Sequence, residues 1–73
     1  MIQVIKKLLG EYTGVDYWTI HGGMHLEDDL MLDENDVIDI LNDIEEYFGV
    51  KFEEDGTELI YVEDLIAYVK KEL

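Results

Sequence analysis

Residues 33–49 read DENDVIDILNDIEEYFG, and this stretch decides the fold. Its apolar side chains recur at spacings of four, three and four, which is the pattern of one helix face: Val37, Leu41, Ile44 and Phe48. Asp33 is the expected N-cap, because its carboxylate can accept from the free amides two and three residues later. Gly49 offers a left-handed stop. The stretch therefore predicts an amphipathic helix over roughly residues 34–48.

Two further amphipathic helices flank this one. The first is expected over roughly residues 2–13 and ends before Gly14; its apolar stripe is Ile2, Ile5, Leu9 and Tyr12. The last has the stripe Val62, Leu65, Ile66, Val69 and Leu73. Acidic residues lie at the start of this last helix and lysines at its end, which matches the helix dipole at both ends.

Residues 15–32 hold no period for long and contain the pair Gly22-Gly23. We expect a long connection that scattered apolar residues anchor to the core: Val15, Ile20, Leu26 and Leu30. Residues 53–58 predict a polar turn around Asp55-Gly56, and residues 59–61 allow at most one helical turn. The sequence thus predicts one all-α domain over residues 1–73, with three long helices, one short one and a long first connection.

Charge dominates the composition. Nineteen acidic residues face five lysines, the formal net charge is -14, and the sequence has no arginine. Ten of the acids, and no lysine, lie between Glu27 and Glu46. Nucleic acid and anionic membranes require a basic face, so we expect neither as a partner. So concentrated a negative charge suits the steering of a basic protein surface.

Other site types find little support. Nothing reads as a signal peptide, no apolar run approaches the roughly 20 residues of a membrane span, and there is no cysteine, so we expect a cytoplasmic monomer without disulfides. His21 and His25 have the spacing of a helical metal pair, but Gly22-Gly23 argues against a helix there, and we expect no metal. Tyr17 and Trp18 can mark a small-molecule pocket, but the favoured interpretation is that one of them covers the core.

Neither catalysis nor a bound cofactor is expected. The chain shows no nucleophile–base pair, and it has no glycine-rich phosphate loop. Asp28 and Asp29 lack the alternating oxygen ligands and the glycine of a calcium-binding loop. We therefore predict a protein that is not an enzyme.

Over nearly its whole length the chain resembles acyl carrier proteins. Four segments carry the resemblance in register: residues 4–15 (VIKKLLGEYTGV), 26–30 (LEDDL), 36–48 (DVIDILNDIEEYF) and 62–69 (VEDLIAYV). They are similar, in order, to the family's first helix, the approach to its carrier site, its acidic recognition helix and its last helix. The resemblance implies a four-helix carrier fold that docks partner enzymes.

The departures concern the carrier site. The family continues from leucine through glycine and a small residue to aspartate, serine and leucine, whereas residues 30–35 read LMLDEN. Asp33 matches the aspartate, and Glu34 stands where the serine would carry the phosphopantetheine arm. The chain has no serine at all. Asn35 and Asn42 stand where apolar docking residues are usual. In these departures the chain is similar to uncharacterised acyl-carrier-like proteins that also lack the serine.

Two interpretations of the acidic second helix stay open. The charges can simply form a solvated face, or they can dock a basic partner. Glu45 and Glu46 favour docking, since acids in a last turn oppose the dipole. Glu34 can likewise be a functional charge or only an acid suited to a helix start. The expected docking residues are Asp33, Glu34, Asp36, Ile38, Asp39, Glu45 and Glu46.

The leading functional hypothesis is a non-catalytic interaction module that binds a basic partner and carries no phosphopantetheine. The alternative is a structural or regulatory stand-in for a carrier in fatty-acid or polyketide metabolism, in which case its partner is an enzyme of that metabolism. Both hypotheses use the same acidic helix.

Overall fold

A computed structural model describes residues 1–53 and 58–73, and the described part contains three α-helices and one 3₁₀ helix. Helix α1 spans Ile2–Thr13, α2 spans Glu34–Phe48, and α3 spans Val62–Glu72. The 3₁₀ helix spans Tyr17–Thr19. The predicted all-α bundle and its three long helices are confirmed. The turn predicted around Asp55-Gly56 lies outside the described residues.

One hydrophobic core joins all three helices and the first connection. Its buried side chains are Ile5, Leu9, Ile20, Leu26, Leu30, Leu32, Val37, Ile40, Leu41, Ile44, Phe52, Val62, Leu65 and Val69. Three of the four anchors predicted in the connection belong to this core, and the fourth, Val15, is half-buried against it. No polar or charged residue in the described part of the chain is buried. None of its helices is long and apolar enough to cross a bilayer.

The predicted helix ends are confirmed. Gly14 and Gly49 follow α1 and α2 with φ of 77° and 68°, the left-handed conformation that costs glycine nothing. Asp33 and Asp36 form a reciprocal cap at the start of α2. The Asp36 amide donates to the Asp33 carboxylate at 2.8 Å, and the Asp33 amide donates to the Asp36 carboxylate at 3.1 Å.

The long first connection is bonded to the segment that begins α3. Leu26 N–H donates to the Ile60 carbonyl at 2.8 Å, and Val62 N–H donates to the Met24 carbonyl at 2.9 Å. His25 and Tyr61 form an isolated antiparallel bridge. Ile60 and Tyr61 are therefore paired with the connection, and the short helix of the described residues is the 3₁₀ helix at Tyr17–Thr19.

Two side-chain hydrogen bonds tie α2 to its surroundings. The Glu45 carboxylate accepts from the backbone N–H of the buried residue Phe52 at 2.6 Å, which fixes the chain beyond Gly49. The Tyr12 hydroxyl donates to the Asp43 carboxylate at 2.8 Å and so joins α1 to α2. That bond, burial and the negative charges of Asp43, Asp39 and Asp36 raise the pKa of Tyr12 to about 12.

Glu45→Ala is expected to lower the free energy of unfolding by about 1–3 kcal/mol relative to Glu46→Ala, because only Glu45 accepts a bond from a buried backbone amide. Both substitutions remove an acid from the same last turn, where negative charge opposes the helix dipole. The stability gained by removing that charge is therefore common to both variants. Urea denaturation of the two variants measures the difference. Equal stabilities would contradict a structural role for the Glu45 carboxylate.

The bond from Tyr12 to Asp43 predicts a stability effect at alkaline pH. The folded pKa lies above the ordinary value of 10.0, so the contribution is complete below pH 10 and is lost as pH rises towards 12. Tyr12→Phe should therefore be less stable than the parent below pH 10, and the gap should close above it. Urea denaturation across this range tests the prediction. Tyr47→Phe is the control, since Tyr47 is 67% exposed; a Tyr12 gap independent of pH would contradict the bond.

Candidate functional site

The outward side of α2 is the candidate site. Val37, Ile40, Leu41 and Ile44 turn inward, so the helical repeat places Asn35, Asp39, Asn42 and Glu46 outward, and all four are exposed. Glu34, the first residue of α2, is exposed as well, and Ile38 is half-buried at the margin. We call Glu34, Ile38, Asp39 and Glu46 the acidic face.

The three acids of this face have free carboxylates. Within residues 1–53 and 58–73, the side chains of Glu34, Asp39 and Glu46 form no hydrogen bond and no ion pair. These three charges do not take part in core packing. In addition, α2 has no basic residue in its last turn that could offset the charge of Glu46. The face is therefore available for a charge from another molecule.

The other three acids predicted for docking have structural bonds. Asp33 and Asp36 cap α2, and Glu45 accepts from Phe52 N–H. Their negative charge still contributes to the local field, but their carboxylate oxygens already bind backbone amides. The cap of Asp33 was visible in the sequence; the bond of Glu45 was not, because it depends on how the chain turns after Gly49.

Sequence reasoning missed Asp43 as a structural residue. It lies on α2 beside the acidic face, but its carboxylate accepts from Tyr12 on α1. The two residues lie 31 positions apart, so no local pattern indicates their contact. The only sequence signal is that Tyr12 ends the apolar stripe of α1, where a polar tip can reach a neighbouring helix.

Glu34 is the residue that the resemblance aligns with the arm-bearing serine of acyl carrier proteins. It directly follows the N-cap Asp33, and its side chain points into solvent at the positive end of the helix dipole. A phosphodiester to coenzyme A's arm requires a hydroxyl oxygen as the attacking atom, and a carboxylate does not supply one. An exposed carboxylate side chain therefore stands where the resemblance puts the arm.

A second acidic segment, the turn Glu27–Asp29, precedes this helix start. His25 organises it: His25 Nδ1 accepts from the N–H groups of Glu27 at 3.1 Å and Asp28 at 3.0 Å. The Asp29 carboxylate in return accepts from His25 N–H at 2.7 Å. Glu27 and Asp28 remain exposed and direct their charge outward.

The histidines and aromatic residues of the connection have local roles. His21 Nδ1 accepts from Gly23 N–H at 3.2 Å, so one ring nitrogen of each histidine holds a backbone turn. The described residues contain no group of three or more side chains placed to hold a metal ion. Tyr17 lies half-buried beside Gly10 of α1, whereas Trp18 is 71% exposed and does not cover the core.

Comparison with known proteins identifies the family. No protein-family model matches the chain. An acyl carrier protein of Thermotoga maritima, however, is 36% identical over 70 residues, which cover 94% of this chain and 86% of that protein. Similarity at this level over nearly the full length accompanies the predicted helical bundle. The chain therefore belongs to the acyl carrier protein family.

Proposed function

We propose that this chain is a carrier-like interaction module that binds a basic protein surface through the acidic face of α2 and carries no phosphopantetheine arm. The observation that supports it best is the division among the acids of α2. Asp36 and Glu45 are bonded to backbone amides and Asp43 to the Tyr12 hydroxyl, whereas Glu34, Asp39 and Glu46 have no partner within the described residues.

The charge of the whole molecule favours the same partner chemistry. The net charge is -14, and no lysine in the described residues lies within 4.0 Å of a carboxylate. A basic surface approaching α2 therefore meets an attractive field that this chain does not itself neutralise, which raises the rate of encounter and selects against acidic partners. Ile38 offers a small apolar contact at the margin of that face.

The absence of an arm is supported by the residue at the carrier position. Glu34 is the first residue of α2, exposed and unbonded, so it neither caps the helix nor packs on the core. With no serine in the sequence, no shift of register supplies the attaching hydroxyl. The proposed module therefore acts by docking alone and is not catalytic.

Family membership favours one more specific alternative. A relative named acyl carrier protein is 36% identical, so the partner of this module can be an enzyme of fatty-acid or polyketide metabolism, with the chain acting as a structural or regulatory stand-in for a loaded carrier. Genes for such enzymes beside the gene for this chain would favour this alternative over a partner outside that metabolism.

Incubation with coenzyme A and a phosphopantetheinyl transferase should leave the mass of the chain unchanged, because Glu34 offers no attacking hydroxyl. Mass spectrometry measures the outcome, with a serine-bearing acyl carrier protein as the positive control for the transferase. Glu34→Ser tests whether the hydroxyl is the sole obstacle. An arm attached to the parent chain would contradict the absence of loading.

Reversing the charge of Asp39 and Glu46 to lysine should weaken binding of the captured partner by at least about tenfold, because like charges then face the basic surface. These positions are chosen because neither carboxylate has a structural bond in the described residues, so the fold is preserved. The partner is captured at low salt, identified by mass spectrometry and measured by titration calorimetry.

The matched control reverses Glu11 and Glu72, two exposed acids on α1 and α3. It changes the net charge by the same amount but leaves α2 unaltered, so it should affect binding much less. If both double variants lose the same amount of partner affinity, binding depends on net charge alone. If neither variant loses affinity, docking through α2 is contradicted.

A further inference from the structure

Met31 is anomalous in two independent ways. Its backbone is left-handed, with φ of 59°, the one non-glycine residue with positive φ in the described part of the chain. Its side chain is also 83% exposed, the most exposed of the large hydrophobic side chains there. A methionine in this conformation costs about 1 kcal/mol relative to glycine, and an exposed side chain recovers nothing by packing. Folding alone does not explain this residue.

The surrounding backbone fixes Met31 in this position. Met31 N–H donates to the Glu27 carbonyl at 2.9 Å, and Leu32 N–H donates to the Leu26 carbonyl at 3.0 Å. These bonds close the acidic turn onto the residues that lead into α2. Met31 is thereby held at the surface between the turn Glu27–Asp29 and the helix cap at Asp33.

An open groove runs along this junction, and we call it the Met31 groove. Its lining residues are Glu27, Asp28, Met31, Leu32 and Asp33. The side chain of Met31 supplies an exposed apolar surface, and the acids Glu27, Asp28 and Asp33 line the same groove. The Asp28 carboxylate lies 3.7 Å from His25 Nε2, and no lysine in the described residues pairs with any of these acids.

We propose that the Met31 groove binds a long cationic side chain, lysine or arginine, of the docking partner. The alkyl stem packs on the Met31 side chain, and the cationic head lies beside the carboxylates of Glu27 and Asp28. Asp33, whose carboxylate caps α2, contributes only its charge. Lysine and arginine combine an apolar stem with a cationic end. The groove offers a matching surface to each part, the apolar side chain of Met31 for the stem and the acids for the charge. This inference rests on the proposed docking function and names the contact that gives it specificity.

Other occupants match the groove less well. A hard divalent cation would use oxygen ligands and leave the methionine unused. A neutral apolar ligand would desolvate the carboxylates without compensation. Only a cation with an aliphatic stem uses both the thioether and the acids.

The test distinguishes the contribution of the aliphatic stem to binding from that of the charge. One blocked peptide alternates glycine and lysine; its match replaces each lysine by diaminopropionate, whose side chain is shorter by three methylenes. Because the amine of diaminopropionate is less basic than that of lysine, both titrations are run at about pH 6, where both amines are protonated. Both peptides are titrated into the chain labelled at the methionine methyl groups and followed by NMR. Three methionines are present, and Met31→Ala assigns the resonance of Met31. The lysine peptide should bind about fivefold more tightly, because part of its stem is buried.

Two variants distinguish a lost contact from a damaged fold. Met31→Ala should abolish the preference for lysine while keeping the strained backbone. Met31→Gly should abolish it as well and at the same time raise the melting temperature, because glycine relieves the positive φ. Weaker binding together with higher stability cannot come from unfolding. Replacing Glu27 by Gln and Asp28 by Asn should weaken both peptides without changing their ratio.

Three results would overturn the proposed binding of a lysine or arginine side chain in the groove. They are equal binding of the two peptides, an unshifted Met31 methyl resonance, and a preference for lysine that survives Met31→Ala. Each of these outcomes leaves the proposed function to its own test, the charge reversal at Asp39 and Glu46, neither of which lines the groove. Loss of partner binding on that reversal, together with equal peptide binding, would mean that docking is real and the groove is not its contact.

Discussion

The structure depends on backbone hydrogen bonds between the first connection and the start of α3. The first amides of any helix have no partner within it. Here Val62 N–H donates to the Met24 carbonyl, and Glu63 N–H donates to the Gly22 carbonyl at 3.0 Å. A Cβ on Gly22 would lie 3.1 Å from the Glu63 Cβ, so glycine permits this approach. The long connection therefore supplies hydrogen-bond acceptors for the first amides of α3, and these bonds hold the connection against that helix.

Because the connection is fixed at that end, the acidic turn and the start of α2 are fixed as well. Several carboxylates then serve the fold by accepting backbone N–H bonds, which offsets part of the cost of so much negative charge. These are Asp29, Asp33, Asp36, Glu45 and Asp64. The high acid content is thus partly structural, and only the acids without such bonds require another explanation.

Local physics accounts for what could be predicted from the sequence. Apolar spacing and the caps at Gly14, Asp33 and Gly49 located the helices, because each depends on neighbouring residues. The pairing of Ile60 and Tyr61 with the connection was not predictable, because its partners Leu26 and His25 lie far away along the chain. The same limit applied to the site, where contacts far along the chain assign Asp43 and Glu45 to the fold. The strain at Met31 was not predicted, although the resemblance puts a glycine at that position and the observed φ is positive.

Some acids at the start and end of α2 bind backbone amides and others do not. Likeness to a carrier protein at an acidic position therefore does not by itself indicate a docking residue. Asp33 and Asp36 hold each other's amides at the start of α2, so capping alone accounts for acids at these positions in a chain that docks nothing. Their resemblance to docking residues therefore carries little functional weight. Glu34, Asp39 and Glu46 are different, since none has a bond in the described residues and none packs on the core. The helix dipole already favours an acid at Glu34, in the first turn of α2. Nothing in the described fold favours acids at Asp39 and Glu46, and docking provides a physical reason for those two.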